Sequence, residues 1–154
     1  MRVIFLDMDG VLCTYRAHEA QGIQKMPGHH GFMDALDREG VDLLNKITKL
    51  YPDTVYVLSS TWRNFHSKEE MEEWLRRYGW TGRCHDDWRT VRLNGPRGLE
   101  IEEWLNRHLT EWETYVILDD NSDMLENQKA NFVQTDEWDG ILTKHFNRIK
   151  QVLA

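Results

Sequence analysis

The sequence predicts an α/β fold with a mostly parallel central sheet flanked by helices. Three continuous apolar runs, at residues 3–6, 54–58 and 114–118, are typical of short strands that are buried on both faces of a parallel sheet. Segments with helical spacing of apolar residues separate these runs. Strands that alternate with helices indicate right-handed crossovers, which place neighbouring strands parallel to one another.

The first two helices are predicted from apolar spacing and from their ends. Before the second strand, one face of a helix carries apolar residues at Val41, Leu44, Ile47 and Leu50, the period expected for an amphipathic helix. After that strand, Ser67 and Glu70 form a capping box, and Gly79 is suited to the helix exit. The inner face of this second helix is formed by Met71, Trp74, Leu75 and Tyr78.

The last third of the chain repeats the alternation. Ile101, Trp104 and Leu105 mark a third helix, and Asn121 is a candidate cap for a fourth. Residues 131–135 predict a further strand, and residues 141–153 predict a closing amphipathic helix. No repeat or linker interrupts the pattern, so we expect one domain over residues 1–154, a length that suffices for one hydrophobic core.

Composition restricts the class of protein. The chain has 19 Lys and Arg against 26 Asp and Glu, a formal charge of -7, which argues against coating of nucleic acid by bulk charge but allows recognition of a nucleic-acid end. Two cysteines, Cys13 and Cys84, do not resemble a disulfide framework. The first apolar run is too short for a signal peptide or a membrane span, so we expect a cytoplasmic protein with no membrane partner.

Positive charge is concentrated in residues 76–97, which hold six arginines and two aspartates, a local charge of +4. Tyr78, Trp80 and Trp88 lie in the same stretch. Arginines interleaved with aromatic residues are typical of surfaces that bind phosphates and stack on bases. A solvated arginine face over buried tryptophans predicts the same pattern, and both interpretations stay open.

Polar residues stand where each buried strand is predicted to end. The first strand is followed by Asp7, the second by 59–61 (Ser-Ser-Thr), and the third by Asp119 and Asp120. In an open α/β sheet, the carboxyl ends of the strands form the ligand-binding edge. A turn after the first strand can direct Asp7 and Asp9 into one cleft, with Gly10 supplying backbone freedom.

Residues 5–12, Phe-Leu-Asp-Met-Asp-Gly-Val-Leu, resemble the DxDG[TV]L signature of the haloacid dehalogenase (HAD) superfamily, which directly follows a short N-terminal strand. The resemblance implies a Rossmann-like fold and a phosphatase activity. By this resemblance, Asp7 is the nucleophile that attacks phosphorus to form an aspartyl-phosphate. Asp9 is the general acid and base, which protonates the leaving oxygen and later activates the hydrolytic water.

Two further motifs of the superfamily have counterparts here. The strand that ends at Ser59 resembles the second motif, whose serine hydrogen-bonds the phosphate, and Ser60 is a candidate additional contact. The third motif is usually a lysine, but no lysine lies between Lys68 and Lys129. We therefore assign its role to Arg97, because a guanidinium also binds phosphate well. The alternatives for this role are Arg92 and Arg63.

The acidic cluster at residues 119–123 resembles the fourth motif, which binds a metal in the superfamily. The resemblance implies Asp120 as a ligand together with Asp7 and the backbone carbonyl of Asp9, with Asp119 and Asp123 in supporting positions. Oxygen ligands of this kind suit Mg²⁺. By itself, the cluster would also fit a helix N-terminus with solvated acids.

The substrate is inferred from the short segments between motifs, which imply a minimal or absent cap over the site. Open sites accept large substrates or need a partner to cover them. The strings at residues 58–63, 98–105 and 135–143 resemble small phosphatase domains associated with RNA repair and polynucleotide ends. We therefore expect a phosphorylated nucleotide or nucleic-acid end as substrate, with Trp62 stacking on a base and Arg63 binding a second phosphate.

Three alternatives stay open at the level of sequence. In the first alternative, Trp62 does not stack on a base but packs beneath the cleft, since tryptophans are often largely buried. In the second, the enzyme acts on small non-nucleotide metabolites. In the third, the chain is a non-catalytic phosphate-binding module, although intact Asp7 and Asp9 disfavour it. His29 and His30 follow the first motif, where we expect a solvated flap and not a metal site.

Overall fold

A computed structural model describes residues 1–21 and 36–154. The described part forms one five-stranded sheet in the order β3-β2-β1-β4-β5, and every neighbouring pair is parallel. The strands are β1 (Arg2–Leu6), β2 (Thr54–Leu58), β3 (Cys84–Arg89), β4 (Thr114–Asp119) and β5 (Phe132–Gln134). The predicted Rossmann-like α/β fold is confirmed.

Helices flank the sheet between the strands. They are α1 (Tyr15–Gln21), α2 (Arg38–Leu50), α3 (Lys68–Arg77), α4 (Arg97–Arg107) and α5 (Thr143–Leu153), with 3₁₀ helices at Thr61–Asn64 and Glu126–Asn131. The predicted cap at Asn121 is wrong. Its backbone N–H donates to the Asp119 carboxylate at 2.9 Å, which holds the chain in a loop, and the next helical turn starts only at Glu126.

Local sequence explains where α2 and α3 begin and end. Asp37 caps α2 by accepting hydrogen bonds from the first backbone N–H groups of the helix, as N-cap aspartates do. Ser67 caps α3 by accepting from the N–H of Glu70 at 3.1 Å, which is the first half of the predicted capping box, while the Glu70 carboxylate lies 3.4 Å from Nδ1 of His66. Beyond α3, Gly79 has φ +86°, a left-handed conformation that favours glycine and ends the helix.

The core has two layers because both faces of the sheet are covered. Ile4 and Leu6 of β1 pack in a cluster with residues of α2, α3 and α5. Val3 and Phe5 point to the other face, where they pack with Ile101 and other residues of α4. This two-sided burial is why the strand is continuously apolar, and each large side chain so buried contributes roughly 1.5–3 kcal/mol.

Strand register brings the polar strand ends to one level. Leu6 of β1 is paired with Leu58 of β2 and Leu118 of β4. The next residue of each strand therefore emerges at the same edge. Asp7 N–H donates to Leu118 at 3.0 Å, and Ser59 N–H donates to Leu6 at 2.9 Å, so the three strand ends are directly connected by backbone hydrogen bonds.

The segment between β2 and α4 forms no separate cap. It contributes α3 and β3 to the layers of the fold itself. The segment after the first motif includes residues 22–35, and the predicted flap at His29 and His30 therefore lies outside the described residues. Among the described helices, none has the length and apolar character that crossing a bilayer requires.

Candidate active site

Arg97 lies at the centre of the strand ends and contacts three of their side chains. Its Nη1 lies 3.8 Å from Asp7 Oδ1 and 4.0 Å from Asp119 Oδ2, and it donates to Ser59 Oγ at 3.5 Å. Arg97 is the first residue of α4, so the helix delivers it to the carboxyl edge. Of the three arginines considered for the lysine role, this is the one that contacts Asp7.

The carboxylates of Asp7, Asp119 and Asp120 form a tight cluster, with one oxygen atom of each within 4.8 Å of the others. Burial raises the pKa of Asp7 well above its ordinary value, and the neighbouring Asp119 raises it further, against the opposing effect of Arg97. Burial likewise raises the pKa of Asp119, to about 7. The protein alone therefore leaves this cluster short of positive charge.

A divalent cation fits this cluster. Asp119 Oδ2 is buried and has no hydrogen-bond partner in the described part of the chain, and such a group is costly unless something satisfies it. The available donors are all oxygens, the set that Mg²⁺ prefers. The structure thus brings together Asp7, Asp119 and Asp120, three of the residues assigned to the metal from the sequence.

Gly10 allows the first loop to lie against the cluster. It has φ +81°, and a Cβ at this position would overlap the carboxylate of Asp120. Both the backbone conformation and the space exclude a larger residue. The loop is fixed by a hydrogen bond of 2.7 Å from Thr135 Oγ1 to the Gly10 carbonyl, which ties it to the residue that follows β5.

Asp9 is partly buried and lies beside Trp62. The indole N–H of Trp62 donates to Asp9 Oδ2 at 3.2 Å, a contact that sequence reasoning missed. Trp62 is 1% exposed, so its ring has no free face for a base. Of the two roles considered for Trp62, its burial favours packing beneath the cleft, where it orients the Asp9 carboxylate.

Ser60 and Arg63, both assigned to substrate binding from the sequence, are buried. Ser60 Oγ accepts from the N–H of Trp62 at 3.3 Å and caps the first 3₁₀ helix. Arg63 donates to Glu100 Oε2 at 2.7 Å and to the Ser60 carbonyl at 2.6 Å. These contacts support the loop after β2, and any direct role in substrate binding stays a prediction.

Glu100 is a site residue that sequence reasoning missed. Its buried carboxylate binds Arg63 and also lies 3.7 Å from Nε of Arg97. The position three residues after Arg97 on α4 was the only signal for this contact, since residues so spaced share a helix face. Glu100 therefore limits how Arg97 can turn, and keeps its other nitrogen atoms toward Asp7.

Asp123 supports the first turn of the same helix. Its carboxylate accepts from the Arg97 backbone N–H at 3.0 Å, and its carbonyl accepts from Gly98 N–H at 3.1 Å. A carboxylate at a helix N-terminus satisfies free N–H groups and interacts favourably with the helix dipole. Asp123, predicted as a supporting residue of the metal, is placed where it positions the start of α4.

Comparison with known protein families gives a match over most of the chain. Residues 3–146 match a family model described as the HAD domain in Swiss Army Knife RNA repair proteins. The match covers β1 from Val3 onward, the other four strands and every site residue named above. No curated protein and no solved structure matches the chain.

Proposed function

Because the chain belongs to the family of HAD domains in Swiss Army Knife RNA repair proteins, we propose that it is a magnesium-dependent phosphomonoesterase. Its proposed substrate is the terminal phosphate of a nucleotide or polynucleotide. The observation that carries the proposal is the position of Asp7, a buried carboxylate between a cationic guanidinium and two further aspartates. We take residues 1–154 as one catalytic domain that acts in the cytoplasm.

In the proposed reaction, a carboxylate oxygen of Asp7 attacks phosphorus while the bond to the leaving oxygen breaks. Asp9 donates its proton to that oxygen, which departs as an alcohol and leaves an aspartyl-phosphate. Asp9, now a carboxylate, takes a proton from water, which attacks phosphorus. The bond between phosphorus and the Asp7 oxygen breaks, inorganic phosphate is released, and Asp7 returns to its carboxylate form, with Asp9 protonated again.

The remaining residues bind and orient the phosphate. Ser59 Oγ lies 3.5 Å from Nη1 of Arg97, and together the two side chains offer donors to the equatorial oxygens as charge develops there. Asp7, Asp119, Asp120 and the Asp9 carbonyl would hold Mg²⁺. When bound, the ion supplies positive charge that offsets the clustered carboxylates and the incoming phosphate.

A substrate panel tests this function. Phosphate release is measured with Mg²⁺ on 3′- and 5′-phosphorylated oligonucleotides, mononucleotides and sugar phosphates. We expect release from a nucleotide or an oligonucleotide, and its loss in Asp7→Asn. The matched control is Asp42→Asn, which makes the same chemical change at an exposed position on α2 and should retain full activity.

The other outcomes are equally specific. Preference for sugar phosphates over every nucleotide substrate would point to a phosphatase of small metabolites. Binding of phosphorylated ligands without release from any of them would point to a non-catalytic module. Undiminished activity in Asp7→Asn would refute the assignment of the nucleophile.

A further inference from the structure

Two adjacent clefts continue outward from the proposed active site. The inner cleft, of about 320 Å³, is lined by Arg97 and by residues that include Phe65 and Arg92. The outer cleft, of about 410 Å³, includes Arg89 and Arg107. Arg63, Asn64 and Arg92 line both, so the two clefts form one groove that begins beside the phosphate-binding arginine.

The groove contains arginine side chains whose charge is not neutralised by an acidic residue of the described chain. Arg92 is exposed and makes no hydrogen bond or ion pair with residues 1–21 or 36–154. Arg89 is exposed, and its guanidinium donates to a backbone carbonyl, that of Arg63, at 2.7 Å, so its charge is not neutralised. Arg107, in contrast, is paired with Asp87 at 2.6 Å.

Arg92 is held on a short, anchored loop. Two residues before it, the Thr90 N–H donates to the Leu58 carbonyl at the end of β2 at 3.1 Å. One residue after it, the Leu93 N–H donates to Glu100 Oε1 at 3.1 Å, the carboxylate that also contacts Arg97. The two arginines are thus positioned by a shared support, and both face the inner cleft.

Phe65 supplies an aromatic face to the inner cleft. Its side chain is 70% exposed, although burying a phenyl ring would be favourable, and it follows the 3₁₀ helix that contains Trp62 and Arg63. Grooves that bind single-stranded nucleic acid combine backbone-tracking cations with exposed aromatic rings on which unpaired bases stack. The arginines alone could bind any polyanion, whereas the Phe65 ring beside them provides a surface on which an unpaired base can stack.

We propose that this groove binds the nucleotides adjoining the phosphorylated end of a single-stranded polynucleotide, with Arg92 and Arg89 on backbone phosphates and Phe65 stacked on a base. This inference rests on the proposed function, which it extends from a terminal phosphate to the strand that carries it. The charge of the whole chain is -7. Binding is therefore confined to the groove and does not extend over the surface.

The experiment measures binding separately from catalysis. A fluorescently labelled, phosphorylated single-stranded 10-mer is titrated by anisotropy with Asp7→Asn and with Asp7→Asn combined with Arg92→Gln or Phe65→Ala. We expect binding to weaken roughly tenfold on loss of Arg92, and roughly tenfold or more on loss of Phe65. Loss of Arg92 should also lower the slope of log K against log salt by about 0.7.

The matched control is Arg83→Gln, because Arg83 is exposed and directly precedes β3. It therefore lies at the amino end of this strand, whereas the groove lies at the carboxyl end. This variant should bind the 10-mer with unchanged affinity and salt slope. Arg92→Lys should recover most of the slope, since it restores the charge. If the Arg92→Gln and Arg83→Gln variants bind the 10-mer with the same affinity and the same salt slope, the proposed binding groove is wrong.

A kinetic arm separates this inference from the function on which it rests. With Asp7 intact, the ratio of kcat/KM for the phosphorylated 10-mer to that for p-nitrophenyl phosphate should fall roughly tenfold in Arg92→Gln. An unchanged ratio would contradict the groove while leaving the phosphatase in place. Absence of phosphate release from any substrate contradicts the phosphatase, whereas the anisotropy titration still tests the groove.

Discussion

Trp62 and Asp9 are joined by a hydrogen bond of 3.2 Å between the indole Nε1 and the carboxylate Oδ2. The indole is buried, and Ser60 caps the 3₁₀ helix that carries it. The donor is therefore fixed before substrate arrives. This hydrogen bond to Oδ2 fixes the orientation of the Asp9 carboxylate, the proposed general acid, relative to the cleft.

We predict that Trp62→Phe lowers kcat on the order of tenfold, because it keeps an aromatic ring in place but removes the donor that orients the general acid. The measurement is steady-state kinetics at saturating Mg²⁺. Trp74→Phe is the matched control, since Trp74 is also buried and its indole nitrogen has no partner within the described chain. A similar loss of kcat in both variants would show a packing effect only.

Arg97 combines the contacts to the nucleophile, to Ser59 and to Asp119. Removal of a single preorganised donor commonly costs 10²–10³ in kcat. We therefore expect Arg97→Ala to lose about that much activity, and Arg97→Lys to recover part of it because charge returns without the planar fork. If Arg97→Ala keeps near wild-type kcat in a phosphate-release assay, the role belongs to Arg92 or Arg63.

Magnesium should stabilise the folded chain. A ligand present at 100 times its dissociation constant contributes about 2.7 kcal/mol, which corresponds to a rise in Tm of roughly 5–10 °C for a chain of this size. We predict such a rise by thermal denaturation, its reversal by a chelator, and its loss in Asp120→Asn. Asp42→Asn should show the full rise, and an equal rise in Asp120→Asn would remove that residue from the metal site.

His108 directly follows α4 and belongs to a cluster of hydrogen-bonded charged side chains. Its Nδ1 bonds Glu111 and its Nε2 bonds Asp87, each at 2.9 Å. Arg107 also binds Asp87, and His85 also binds Glu111. Burial lowers the pKa of His108, but the hydrogen bonds to the two carboxylates outweigh it, and the net effect raises the pKa above 6.5.

A raised histidine pKa stabilises the folded state below the unfolded pKa, and this stabilisation is lost as pH rises through the folded value. We predict that His108→Gln lowers the free energy of unfolding more at about pH 6 than at about pH 9. Urea denaturation at both pH values measures the difference. An equal loss at both would show that the protonated imidazole is not the stabilising form.

His145 offers the comparison of opposite sign. Burial lowers its pKa, and its Nδ1 accepts from the Leu142 N–H at 2.9 Å, which requires the neutral ring. A lowered histidine pKa gives stability that is present above the unfolded pKa and lost as pH falls. His145→Gln should therefore reduce the gain in unfolding free energy that the wild type shows between about pH 5 and pH 8.

The central strands could be predicted from the sequence because strands that are buried on both faces appear as continuous apolar runs. β1, β2 and β4 lie in the middle of the sheet, where both faces are covered. β3 was missed because Cys84–Arg89 is an edge strand with a polar, partly exposed composition. Its residues, Cys-His-Asp-Asp-Trp-Arg, do not alternate between apolar and polar side chains, so no period of two identifies it.

The site shows the same division. Asp7 and Ser59 directly follow β1 and β2, and Asp119 is the last residue of β4, so the parallel register of the strands brings the three side chains together. The support given by Trp62 to Asp9 joins residues 53 positions apart, and Glu100 joins Arg63 from 37 positions away. Such contacts depend on how side chains pack between layers, which local patterns do not encode.

The groove and the reacting groups come from different parts of the fold. Asp7, Ser59 and Asp119 are buried at the ends of β1, β2 and β4. In contrast, Phe65, Arg89 and Arg92 are exposed around the first 3₁₀ helix and the end of β3. Substitutions at exposed positions usually change stability by no more than about 0.5 kcal/mol. Preference for one polynucleotide over another can therefore change as this chain evolves, while the residues that carry out the reaction stay the same.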